Sequence, residues 1–287
     1  MATVTNATPP IAATPSKRLT RRQRRLAIRA TQYLAIVVVV AALAAIGDWN
    51  NFASQYLNVG VAKALFVPMV TTGLVNTLLY TISSLVLTLI LGLIVALMRL
   101  SDARLYRVIA VGYVELFRGL PMLLVLFLVV YGIPIIFGHV GVLSNFFVQA
   151  VVGLSIITSA YMSETIRAGI QAVPRGQREA ARSLGMSTFK TMVFVVLPQA
   201  LRIIIPPMTT QVISLVKDSS LVYVLGVTTG QYELTKMAQV ATSGGIIDIP
   251  SGPTPLLMAG CFYLLITLPL SRGVHLIEQR TATFRSA

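Results

Sequence analysis

Residues Ser159–Pro207 read SAYMSETIRAGIQAVPRGQREAARSLGMSTFKTMVFVVLPQALRIIIPP, and this stretch decides how the rest of the chain is understood. A short hydrophilic, basic segment with Arg175, Arg178, Arg182 and Lys190 is set between two long apolar runs. Glu179-Ala180-Ala181 stands at its centre, followed after three residues by Gly185 and after nine more by Val195-Val196-Leu197-Pro198. Pro174 suits the first turn of a helix, where its missing N–H costs nothing. The spacing predicts one short helix over 177–184, with Gly185 as its C-terminal cap. Ser187 is placed to cap the helix that follows.

Outward from this segment, composition sets the environment. Of 287 residues, 55% are hydrophobic and 11% charged, and the mean hydropathy is +0.80. Soluble domains carry about 25% charged residues. Several apolar runs approach the ~20 residues that a membrane-crossing helix needs, and the alternating short strands of a barrel are absent. The expected fold is therefore an all-α polytopic membrane protein. The net charge of +14 falls in clusters between apolar runs, which is the pattern of membrane topology rather than of nucleic-acid binding. The lone Cys261 excludes an intrachain disulfide, and His139 and His275 lack ligand neighbours, so no metal site is expected.

Taken in order, residues 1–29 read as a disordered tail that ends in Lys17, Arg18, Arg21, Arg22, Arg24, Arg25 and Arg29. An N-terminal membrane helix is expected over 30–49. Ala42-Leu43-Ala44 resembles a signal-peptide cleavage site, but Trp49 just past the apolar run favours a retained helix with an interfacial anchor. Residues 50–72 read as an external loop with room for a short interfacial helix. The second span, 73–98, carries Asn76, Thr77, Thr81, Ser83, Ser84 and Thr88, the small polar residues of a face packed on protein. The third span, 108–137, holds Glu115 and Arg118 three apart, a spacing that lets them pair, and is broken or kinked by Pro121. The fourth, 148–172, holds Glu164 and Arg167 at the same spacing. The fifth, 191–216, contains Pro198, Pro206 and Pro207. Residues 217–255 read as an external, partly re-entrant segment, and the last span is expected over 256–270.

Eighteen of the 23 lysines and arginines lie in the segments assigned to one side, against Lys63, Lys217 and Lys236 on the other. The basic side is cytoplasmic by the positive-inside rule, giving six spans with both termini in the cytoplasm of a cell-membrane protein.

The Glu179-Ala180-Ala181, Gly185 and Val195-Val196-Leu197-Pro198 series resembles the cytoplasmic EAA loop of ABC importer permeases, in which EAA is followed by three residues, Gly, nine residues and Ile-x-Leu-Pro. Val195 for Ile is the one departure. Phe117-Arg118-Gly119-Leu120-Pro121 is similar to the FRGTP segment of the polar amino acid permeases, with Leu for Thr, and Ala160–Arg167 is similar to their AYxxExxR segment. Gly176-Gln177, Pro198–Arg202 and Lys217-Asp218-Ser219-Ser220-Leu221 match as well. The resemblance spans roughly 71–280 and implies a type I ABC importer permease: a core of five transmembrane helices over 73–280 preceded by one N-terminal helix, with the coupling loop at 174–190 and a C-terminal tail at 281–287. It implies two partner ATPases that bind the ATP and magnesium, a second permease as homodimer or sister chain, and an extracytoplasmic amino-acid-binding protein. The substrate would be a polar amino acid: glutamate or aspartate, glutamine, a basic amino acid or cystine. Gln177, Glu179, Ala180, Ala181 and Gly185 would then couple to the ATPase.

No GxxxxGK[ST] loop occurs, so the chain has no phosphate cradle of its own and is not expected to be an enzyme. An amino acid carries a carboxylate and an ammonium, which makes Arg118, Tyr161, Glu164, Lys217, Ser219 and Ser220 the candidate pathway residues by chemistry. For Glu115, Arg118, Glu164 and Arg167 the structural ion-pair reading is preferred over substrate contact. An ion-driven secondary transporter would show inverted repeats, which are not evident, and an intramembrane enzyme would need a metal or nucleophile cluster. A permease for a different solute remains the nearest alternative.

Overall fold

The computed structural model describes residues 21–138, 141–247 and 251–283. His139, the first twenty residues and the last four lie outside these, as does the side chain of His275. The chain divides into two compact units at Phe52/Ala53.

In the first unit, helix α1 (Arg21–Ile46) starts at Arg21 rather than at residue 30. Arg, Gln, Leu and Ala favour helix, and extending a helix already nucleated over the apolar run needs no second nucleus. Residues 21–29 are thus a helical extension and not a disordered tail. Ala42-Leu43-Ala44 lies within α1. Trp49 folds back on this helix: its indole Nε1 donates to the Ala44 carbonyl at 2.7 Å and its ring meets Phe52 edge-on.

Residues 50–72, expected as an external loop with room for a short interfacial helix, are largely helical. Helix α2 (Trp49–Tyr56) carries the unit boundary, and α3 (Val59–Pro68) is opened by Asn58, whose side chain accepts from the Val61 amide. Pro68 removes a donor, yet the helix does not stop: a π turn (Met69–Leu74) carries it into α4 (Val75–Leu100). After α4 come α5 (Arg104–Gly119) and α6 (Met122–Phe137), bent by 109° at Leu120 and Pro121. Pro121 drives Leu120 into the extended region (φ −99°, ψ 142°), so the third span is sharply broken at the proline where a break or kink was expected.

Helix α7 (Phe146–Gln171) is the centre of the second unit and packs on α4, α5, α6 and α10. Thr77, Thr81, Ser84, Thr88, Gly92 and Ala96 form the buried stripe of α4, as the small polar residues predict. Ser155 on α7 donates to the Ser84 carbonyl across this seam at 3.1 Å. Close approach is tightest where α7 meets α10: a methyl group on Gly169 would lie 2.2 Å from Ile204 Cγ1. Helix α8 (Arg175–Ser183) and α9 (Thr188–Thr191) then lead through a second π turn (Met192–Val196) into α10 (Leu197–Asp218).

The segment expected outside after Lys217 turns inward. A 3-10 turn (Ser219–Leu225) buries Val222 and Leu225 with Tyr80, Leu126 and Leu154 in the main core. Helix α11 (Leu234–Thr242) and α12 (Thr254–Thr283) complete the fold; α12 begins close to the expected start of the last span and runs well past its expected end. Among the described residues, five helices are long and apolar enough to cross a membrane, and six spans result if the bent α5–α6 pair counts as one. No strand occurs among the described residues.

Candidate functional site

The coupling candidates lie on α8, which begins at Arg175 with Pro174 as its extended N-cap (ψ 137°) rather than its first helical residue. Gly185 ends it at φ +82°, a left-handed conformation that glycine adopts without a Cβ penalty. The Gly185 amide donates to the Arg182 carbonyl (3.0 Å) and the Met186 amide to the Ala181 carbonyl (3.1 Å), the paired bonds of a Schellman cap. Ser187 Oγ accepts from the Lys190 amide and opens α9.

Helix α8 is held by few points. Ala181 is its one buried side chain, and Arg178 reaches back to the Ile170 carbonyl at the end of α7. Gln177, Glu179 and Ala180 are exposed. The sequence reading gave both alanines to a partner surface; Ala181 is instead turned into the chain's own packing, so Ala180 alone offers a close approach. Glu179 forms no ion pair with Arg175 or Arg182 among the described residues, and Arg182 is engaged with the Met186 carbonyl at 3.0 Å. Beside this polar face stand Leu184 and Phe189, 85% and 75% exposed. Neither was singled out from the sequence, where an isolated Leu and Phe in a basic loop carry no signal.

The intramembrane charges pair differently from their spacing. Glu115 and Arg118 do not form an ion pair; both are exposed, and the Arg118 guanidinium sits over the Tyr161 ring, 5.3 Å from its centroid. An exposed i,i+3 pair gains little, and the aromatic face competes for the cation. Glu164 does pair with Arg167, and Arg99 at the end of α4 joins them. This three-way cluster ties α4 to α7 just before α8. Arg99 was legible only as a loop cation, because its partner is 65 residues away.

Lys217 and Ser220 line a groove of about 390 Å³ with Thr235, Leu256, Ala259, Gly260 and Tyr263. An ammonium and hydroxyls on one side and an apolar helix wall on the other suit a small zwitterion, and the volume falls in the usual range of about 300–1,000 Å³ for small-molecule sites. Ser219 is buried elsewhere, its hydroxyl donating to the Val216 carbonyl at 2.7 Å.

One residue near this groove escaped the sequence reading. Glu233 is fully buried at the start of α11. Its carboxylate accepts from the Thr235 and Lys236 amides, both at 2.6 Å, and from the Tyr263 hydroxyl at 3.0 Å. Burial pushes this carboxyl up to about 7, although those donors pull it down. Thr77 accepts from the Leu234 amide, and the Asn76 amide group donates to the carbonyls of Gly230 and Tyr232. Residues of α4 thus clasp the entry to α11.

Comparison with known proteins identifies this architecture. The family described as binding-protein-dependent transport system inner membrane component matches residues 88–283. The chain is 37% identical over 212 residues to a probable glutamine ABC transporter permease protein, GlnM, of Bacillus subtilis, covering 74% of this chain and 93% of that protein. It is 36% identical over 265 residues to the arginine transport system permease protein ArgU of Corynebacterium glutamicum, covering 86% and 79%. A crystal structure of an amino acid ABC transporter with histidines superimposes with a TM-score of 0.65 at 34% identity, covering 76% of this chain and 97% of the other.

Proposed function

The chain belongs to the family of binding-protein-dependent transport system inner membrane components, and on that premise we propose that it is the permease subunit of an ATP-driven importer of polar amino acids. The relatives named for glutamine and arginine transport support this substrate class. The groove at Lys217 and Ser220 supplies chemistry suited to an α-carboxylate, and Arg118, Tyr161 and Glu164 are assigned to the pathway by their chemistry. Substrate reaches the pathway from an extracytoplasmic binding protein. The pore is completed by a second permease, either a copy of this chain or a sister.

The observation that carries the mechanism is α8. It is a polar helix with an exposed face, a single buried anchor and a rigid cap at Gly185, joined directly to α7 and through the second π turn to α10. A chain without a nucleotide cradle takes its driving force from outside. Two ATPase subunits power the permease pair, and one of them docks on Gln177, Glu179 and Ala180 of this chain, with Leu184 and Phe189 as apolar contacts beside them. Their closure on ATP displaces α8, and the helices attached to it alternate the pathway between its two faces. The amino acid itself supplies no drive, because a solute bound equally in both states shifts neither. Both termini lie in the cytoplasm, on the side of α8.

The test is ATP-driven uptake in proteoliposomes that contain the permease, its ATPase and its binding protein. Glu179→Lys and Gly185→Arg should each reduce uptake by at least about tenfold, the scale of a lost coupling energy, while the chain remains membrane-inserted. Normal uptake by either variant with the ATPase still attached overturns the role assigned to α8.

A further inference from the structure

The basic end of α1 has a geometry that its sequence did not disclose. Because the helix runs unbroken from Arg21 to Ile46, its arginines project from a rod continuous with the apolar run. At about 100° per residue, Arg21, Arg25 and Arg29 stack one turn apart on a single face, with Arg22 and Arg24 flanking them. Arg21, Arg22, Arg25, Leu26 and Arg29 line a groove of about 440 Å³. None of these arginines forms an ion pair with a described residue, and the sequence contains no Asp or Glu before Asp48. Five guanidinium groups on one described helix, with Lys17 and Arg18 preceding them in the sequence, therefore have no acidic neighbour in their own segment. The family match begins only at residue 88, so this feature lies outside the shared transport core.

We propose that the arginine face of α1 is a binding site for the phosphate headgroups of anionic lipids in the adjacent leaflet. The proposal rests on α1 crossing the bilayer. Guanidinium groups bind phosphate through paired N–H donors, and a helix that emerges from the apolar layer delivers them at headgroup depth. Leu26 sits among the arginines to contact the acyl boundary, as in interfacial helices. Basic residues in this position are attracted to an anionic surface, and several acting together make the attraction strongly dependent on salt.

The test uses the full-length chain, purified and equilibrated in mixed micelles containing equal amounts of phosphatidylglycerol and phosphatidylcholine, with bound lipid counted by mass spectrometry. The wild type should retain phosphatidylglycerol preferentially at about 50 mM salt and lose the preference at about 500 mM. The variant Arg21→Gln/Arg22→Gln/Arg25→Gln/Arg29→Gln should lose about tenfold of the preference. Replacing the same four residues by Lys should keep most of it, which separates lost charge from lost folding. Undiminished phosphatidylglycerol in the Gln variant, or a preference that survives high salt, overturns the proposal. So does displacement of the lipid by inorganic phosphate at constant ionic strength, which marks a site for the free anion. A wild type without lipid preference that binds a short DNA duplex refutes it in favour of nucleic acid.

Discussion

Helices α8 and α11 are each nine residues long, and each bridges the space between longer helices. In other respects they are opposites. α8 buries one side chain, and its acidic residue Glu179 is exposed and unpaired among the described residues. α11 buries Leu234, Met237, Ala238 and Ala241, and its acidic residue Glu233 is sealed beneath three hydrogen-bond donors. The difference teaches how a membrane protein divides labour between short helices. One is presented to the outside on a rigid cap; the other is locked in place by a polar clasp from α4.

The same substitution at both acids tests this contrast most severely. Glu233→Lys sets a buried ammonium against the Thr235 and Lys236 amides and the Tyr263 hydroxyl, and should cost more than about 4 kcal/mol of stability, leaving little folded, monodisperse chain in detergent. Glu179→Lys should leave thermal stability within about 0.5 kcal/mol of wild type, because nothing in the chain packs on that side chain. Equal damage from both would erase the distinction.

The pH dependence sharpens the α11 half. The Glu233 carboxyl is raised to about 7 by burial, so the folded chain holds its proton more tightly than the unfolded chain does. That contribution to stability is complete below the ordinary carboxylate range and is lost as pH rises through about 7. Between about pH 5 and pH 8 the chain should lose roughly 2 kcal/mol, seen as a falling melting temperature, and Glu233→Gln should flatten the slope. A smaller effect sharpens the α8 half. Arg178→Met removes the tether to the Ile170 carbonyl and should cost about 1 kcal/mol, read as faster amide hydrogen exchange confined to α8.

The two helices also differ in how legible they were. α8 was readable because its information is local: the Glu-Ala-Ala spacing, a glycine where the chain reverses, and a serine cap lie within a few residues of one another. The buried stripe of α4 was readable for the same reason, as Thr77, Thr81, Ser84 and Thr88 recur with helical period. The clasp around Glu233 was not, since Tyr263, which donates to Glu233, and Thr77, which holds the neighbouring Leu234 amide, come from other helices, and a lone Glu in a polar stretch resembles a solvated one. Arg99 joined Glu164 for the same long-range reason. The Glu115–Arg118 pair failed because spacing permits a contact without supplying the burial that would favour it. The helical continuation through Pro68 was missed because a π turn has no strong residue signature, whereas proline has a familiar one.

That π turn has a twin after α9, at Met192–Val196. Each winds in a surplus residue relative to ordinary helical pitch, which turns everything downstream by about 100° around the axis. The azimuth of Lys217 and Ser220 toward α12 is therefore set some twenty residues upstream, by a local overcount in the winding. Rewinding Met192–Val196 at ordinary α-helical pitch, with no residue removed, would leave every contact-forming side chain of α10 in the polypeptide and aim nearly all of them at the wrong neighbour.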